Sequence, residues 1–168
     1  LNMKKNIIAF VVILVGLFGL MWWGKPTQTS VPTPTSNTEA KNALTTAEKL
    51  YDFGTISMAN GKVDKMFKVT NPTDKDINIE SVVTSCMCTV AYIESANGEK
   101  GPFGMPGHGG PVAKANEIIK AGESREIRVV YDPNAHGPAG IGPVDRFIYL
   151  TESSGGTLEL EIKAVVTP

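Results

Sequence analysis

Thr157-Leu158-Glu159-Leu160-Glu161-Ile162-Lys163-Ala164-Val165 sets apolar and polar side chains in strict alternation. With a period of two, Leu158, Leu160, Ile162 and Ala164 share one face and Glu159, Glu161 and Lys163 the other, so the segment is a strand with one buried and one wet side. Upstream, short runs of strand character recur: Arg146 to Thr151, Arg125 to Tyr131, Thr89 to Glu94, Ile77 to Thr84, Val63 to Thr70 and Lys49 to Phe53. Turn chemistry separates them at Asn71-Pro72-Thr73-Asp74, Ala121-Gly122-Glu123 and Ser154-Gly155-Gly156. No stretch beyond Leu50 has a sustained helical period. About seven short strands over residues 49–168 predict an all-β, two-sheet sandwich, with a small barrel as the alternative.

The 168 residues leave room for one such domain and an appendage, which excludes a large two-domain enzyme. Lys and Arg number 16 against 17 Asp and Glu, for a net charge of -1, so there is no basic excess to neutralise a phosphate backbone and no nucleic acid partner is expected. Two cysteines cannot build a multi-bridge framework, and two histidines are too few for an all-imidazole metal centre.

The appendage is apolar. Ile7 to Trp23 reads IIAFVVILVGLFGLMWW without a charge, between Lys4-Lys5 and Gly24-Lys25. As a helix it spans about 25 Å at 1.5 Å per residue, slightly short of a hydrocarbon core, with Trp22 and Trp23 suited to the interface. A cleaved signal peptide is the competing reading, but the run ends in MWWGKPT rather than at small residues. Residues 1–24 are therefore expected to be an uncleaved signal anchor with one transmembrane helix. The Lys4-Lys5 pair marks the N-terminal side as cytoplasmic and puts the C-terminal domain in the periplasm or outside the cell. Residues 25–48 begin KPTQTSVPTPTSNT, a Pro/Thr/Ser-rich linker with too little apolar surface to fold.

Several motifs in succession resemble a known family: YDFGTI at Tyr51 to Ile56, FKVTNPTDKDINI at Phe67 to Ile79, SCMCTV at Ser85 to Val90, KAGESREIRVVYDP at Lys120 to Pro133 and the final LELEIKAVV. They are similar to the bacterial domain of unknown function family numbered 1573, related to Hydin-like immunoglobulin-type domains. The resemblance implies an immunoglobulin-like sandwich on exported or membrane-tethered proteins and supplies no catalytic activity. Two departures stand out: Met87 replaces the family's usual Gly between the cysteines, and residues 95–116 form a Gly-rich insertion.

Cys86-Met87-Cys88 is the strongest chemical feature. In an extended segment both sulfurs face one way and Met87 the other. Two soft donors suit Cu(I), making copper the candidate cofactor, and two thiolates are also a redox couple. The plain alternative is a pair of packing residues or one static disulfide, with Met87 filling the core. Extended Cα atoms two residues apart are separated by roughly 6.6 Å on a 3.3 Å rise, so a bond between them requires a bend. Further ligands are available in His136, His108, Met105 and Met58. Strand parity favours His136, because the end of the third strand and the connection Asp132 to Val144 fall at the same end of a sandwich. His108 and Met105 start from a loop at the far end, which is long enough to fold back.

That loop, Ser95 to Asn116, holds Gly98, Gly101, Gly104, Gly107, Gly109 and Gly110. Loops of such length are functional or disordered. Phe103, Met105 and Pro106 within it either cover the sandwich edge or offer an apolar contact to a partner. No Lys-Ser/Thr follows the glycines, so the loop is no phosphate cradle. Asp52-Phe53-Gly54 spells a kinase triplet without any other kinase element. Glu159 and Glu161 are a solvated strand face rather than a catalytic pair, and no nucleophile elbow is present. The expected function is a membrane-tethered, non-catalytic binding or assembly module with a protein partner in the envelope. The alternative is a copper-handling or thiol-redox protein.

Overall fold

The computed structural model describes residues 42–95, 98–107 and 114–168. The expected transmembrane segment Ile7 to Trp23, most of the linker and His108 lie outside the described residues. Among the described residues no helix is long and apolar enough to cross a membrane.

Ten strands form two five-stranded sheets. They are β1 (Thr45–Thr46), β2 (Leu50–Ser57), β3 (Val63–Thr70), β4 (Ile77–Thr84), β5 (Thr89–Ser95), β6 (Gly98–Phe103), β7 (Lys114–Ile119), β8 (Ser124–Tyr131), β9 (Gly142–Glu152) and β10 (Thr157–Thr167). One sheet runs β1-β3-β8-β5-β6 and the other β2-β10-β9-β4-β7. All pairings are antiparallel except β2 with β10, which is parallel.

Alternation builds the core. Leu158, Leu160, Ile162, Ala164 and Val166 of β10 are all buried, with Glu159 on the opposite face in solvent. Phe67 and Val69 of β3 and Ile127, Val129 and Tyr131 of β8 face them from the other sheet. In β4 the parity changes midway. A register shift between Ile79 and Ser81 lets Ile77 and Ile79 point inward, then Val82 and Thr84. Thr84 thereby reaches the end of the sandwich on its buried side.

The strands number ten rather than seven, and the difference lies mainly around residues 95–116. The stretch read as an insertion contains β6 and the start of β7, the two strands that finish the sheets on one side. Phe103 is buried in the core, so it covers the sandwich and offers nothing outward. Packing also starts before Lys49: Leu44 is buried, and its backbone is held by Glu152. That carboxylate, 2% exposed, accepts hydrogen bonds from Ala43 N at 2.8 Å, Leu44 N at 3.0 Å and Ser154 Oγ at 2.9 Å. The chain thus enters the sandwich at the β9–β10 hairpin end.

Candidate metal centre

At the opposite end, β4 and β5 belong to different sheets, and Ser85 to Cys88 carry the chain across. The segment is a turn, so the extended geometry considered for Cys86 and Cys88 does not apply and the bend that a bond between them requires is present. Thr89 N donates to Cys86 O at 3.1 Å, and the Thr84 hydroxyl lies 2.9 Å from Thr89 O and 3.0 Å from Cys86 O. Neighbouring strands fix the turn: Ser85 N donates to Phe147 O at 2.9 Å, Phe147 N to Ser85 Oγ at 2.9 Å, and Asp132 N to Cys88 O at 2.8 Å.

The bend brings the Cys86 and Cys88 Cα atoms to 5.3 Å, and the two sulfurs are joined as a disulfide. Cys88 is buried, Cys86 is half-buried, and Met87 is 50% exposed, so Met87 is no core filler. A single turn has replaced the two-faced arrangement that an extended Cys-Met-Cys would give.

His136 comes from the connection after β8. Asp132 Oδ1 accepts from Asn134 N at 2.9 Å, Gly137 N donates to Asn134 O at 2.9 Å, and a short 3₁₀ turn over Gly137–Gly140 follows. Asn134 Nδ2 donates to Met58 O at 2.8 Å, tying this connection to the turn after β2. His136 Nε2 stands 3.2 Å from Cys86 Sγ. The ligand atoms of Cys86, Cys88 and His136 all lie within 4.8 Å of one another.

The other candidate ligands are placed less directly. Met105 is half-buried just beyond β6, and its neighbour Gly104 accepts Thr84 N at 3.3 Å, so the chain after β6 has returned to the cysteine end. Met58 packs, partly buried, against the core beside the His136 connection.

Sequence reading missed Arg146. Its Nε donates to Cys88 Sγ at 3.1 Å and its Nη1 to Asp145 O at 2.7 Å. A signal existed: Val144, Ile148 and Leu150 are the buried face of β9, and Arg146 shares their parity. Beside it, burial pushes the Tyr131 hydroxyl above its ordinary range, with the Arg146 charge opposing and Asp132 adding. The arrangement offers a disulfide when oxidised, and two soft sulfurs plus one imidazole when reduced.

No curated protein matches the chain. Among solved structures, a protein of unknown function from Porphyromonas gingivalis W83 superposes with a TM-score of 0.54 at 15% identity, over 79% of this chain and 51% of that one. This chain thus spans about half the length of that protein, and the likeness is one of fold. The secreted serine protease VesC from Vibrio cholerae gives a TM-score of 0.47 at 13% identity, over 78% of this chain and 25% of that one. The family model described as Protein of unknown function (DUF1573) matches residues 44–104, a stretch that includes Cys86 and Cys88 and stops short of His136 and Arg146.

Proposed function

We propose that this protein is a non-catalytic, immunoglobulin-like binding module, held outside the cytoplasm by Ile7 to Trp23, which binds a soft metal cation through Cys86, Cys88 and His136. One observation carries the reading: three ligand atoms from two separate connections lie within 4.8 Å of one another. Three ligands roughly 2.2 Å from one ion in a trigonal arrangement are roughly 3.8 Å apart, so the atoms need only small shifts once the disulfide opens. Opening it takes two electrons, supplied by an external thiol or phosphine, and yields two thiols. Binding the ion as a dithiolate then releases both protons. Thiolates and imidazole suit Cu(I) and Zn(II) alike, and Cu(I) is the ion that three donors satisfy without a fourth. The parallel pairing of the first long strand with the last supports the immunoglobulin-like description, and the module's protein partner would belong to the cell envelope.

Titration of the reduced full chain in mild detergent with Cu(I), against a competing chromophoric chelator, is expected to show one bound ion. Cys86→Ser or Cys88→Ser should lower the affinity by roughly two orders of magnitude and His136→Ala by about one. Copper binding that survives loss of both cysteines overturns the reading. A second reading rests on the bonded state of the pair, namely thiol-disulfide exchange without metal. Two titratable thiols after reduction, with no copper bound, would favour it.

The tether has its own test. Protease added to intact spheroplasts is expected to digest the domain, and full protection there would reverse the orientation.

A further inference from the structure

Arg146 occupies a position in β9 where alternation asks for an apolar side chain. Val144, Ile148 and Leu150 on the same face are all buried, and Arg146 is half-buried at the rim of that core, its Nε on the sulfur side and its Nη1 toward solvent. Among the described residues Arg146 makes no salt bridge. Its donors go to a backbone carbonyl and to Cys88 Sγ. A cation withdrawn from water without a counter-charge is costly, and the sulfur of a neutral disulfide is a weak acceptor. A thiolate at Cys88 is the anion this guanidinium lacks.

We propose that Arg146 is the positioning residue that sets the Cys86, Cys88 and His136 site for the monovalent soft cation Cu(I) against Zn(II); the inference rests on the metal reading above. Two thiolates, a neutral imidazole and Cu(I) together carry one negative charge, which the guanidinium cancels. The half-buried complex is then neutral. Zn(II) in the same ligands gives a neutral set and leaves the guanidinium as an unbalanced charge beside a dication. The donors themselves accept either ion, Zn(II) with a fourth ligand added, so it is the charge balance that separates the two. A hydrogen bond from N–H to a ligating sulfur is a recognised means of tuning a bound metal. At 3.1 Å from Cys88 Sγ, Arg146 Nε is placed to make one.

The test uses the full chain, reduced by a phosphine that is removed before loading, with Cu(I) and Zn(II) each titrated alone against a chromophoric competitor. Arg146→Gln is expected to lower Cu(I) affinity by roughly 10- to 100-fold while Zn(II) affinity holds or rises. Arg146→Lys, which keeps the charge, should recover most of the Cu(I) loss. Arg146→Met replaces Arg146→Gln if the latter fails to fold. Equal losses for both metals would mean that Arg146 merely supports the turn, and unchanged Cu(I) affinity would mean that it does not touch the site; either overturns the proposal. A wild-type protein that has two free thiols and binds no Cu(I) overturns the metal reading itself, and this inference with it.

Discussion

Glu117→Ala is expected to lower the folding stability of the domain by about 3 to 5 kcal/mol, the usual cost of breaking a buried ion pair from one side. Glu117 sits at an inward position of β7 and is 6% exposed. Its Oε1 accepts Arg125 Nε at 2.8 Å, and its Oε2 meets Lys100 Nζ at 2.5 Å. Lys100 comes from β6, at the edge of one sheet, and Glu117 from β7, at the edge of the other, so the triad closes the sandwich along that side. Removing the carboxylate leaves Arg125 with Glu123 and the carbonyls of Ser124 and Ile118. Most of the loss comes from the Arg125 contact, since Lys100 is 41% exposed and its attraction is screened.

The same carboxylate predicts a pH dependence. Burial pushes the Glu117 carboxyl upward, but hydrogen bonds from Lys100 and Arg125 outweigh it and hold the group below its ordinary range. A lowered value in the folded state means that this contribution is complete above about pH 4.3, where a free glutamate ionises, and is lost as the pH falls through the lower folded value. Urea midpoints followed by circular dichroism should drop between neutral pH and pH 3, and Glu117→Gln should flatten that drop. A variant with the wild-type acid profile would show that other carboxylates govern it.

Phe67→Ala is expected to cost about 3 to 5 kcal/mol, the range for deleting a core phenyl ring. The ring is 1% exposed and its residue pairs with Ile127 across β3 and β8, facing the other sheet. Its neighbour Met66, 40% exposed on the opposite face, provides the control, and Met66→Ala should stay within about 0.5 kcal/mol of wild type. Against a total of about 5 to 15 kcal/mol for a typical domain, the Phe67 change removes a large share of the stability and should lower the urea midpoint clearly. Equal midpoints for the two variants would contradict the inward placement of Phe67.

Long alternating runs were the legible part. The expected bounds of β3 and β4 coincide with the structure, and clear turn chemistry at Asn71-Pro72-Thr73-Asp74 separates the two. β6 was hidden by its composition, Gly98-Glu99-Lys100-Gly101-Pro102-Phe103, in which only Phe103 points to a core. β7 was hidden by Glu117, a charge at a core position whose partners lie in other strands. The cysteine turn was hidden for a similar reason: besides the neighbouring Thr84 hydroxyl, what bends it are bonds to Phe147 and Asp132, both far away in sequence. His136 could be placed beside Cys86 because topology alone decides which connections share an end. Arg146 was legible by parity and was overlooked because its neighbours in sequence, Asp145 and Phe147, draw no attention to the face it occupies.

The parallel pairing of β2 with β10 also decides how the domain bears tension. Leu50 stands opposite Glu161 and Ser57 opposite Thr167, so pulling the chain before β2 away from the chain after β10 slides the two strands lengthwise past each other. Hydrogen bonds loaded in shear share the force and yield together, whereas an antiparallel hairpin pulled from its open end unzips one pair at a time. Tension from the N-terminal side must first release the two-residue β1 pairing and the hold of Glu152 on Ala43 and Leu44. Cys86, Cys88 and His136 lie on connections outside the sheared pair, so a stretched domain keeps these sulfur and imidazole groups together until the load-bearing strands part.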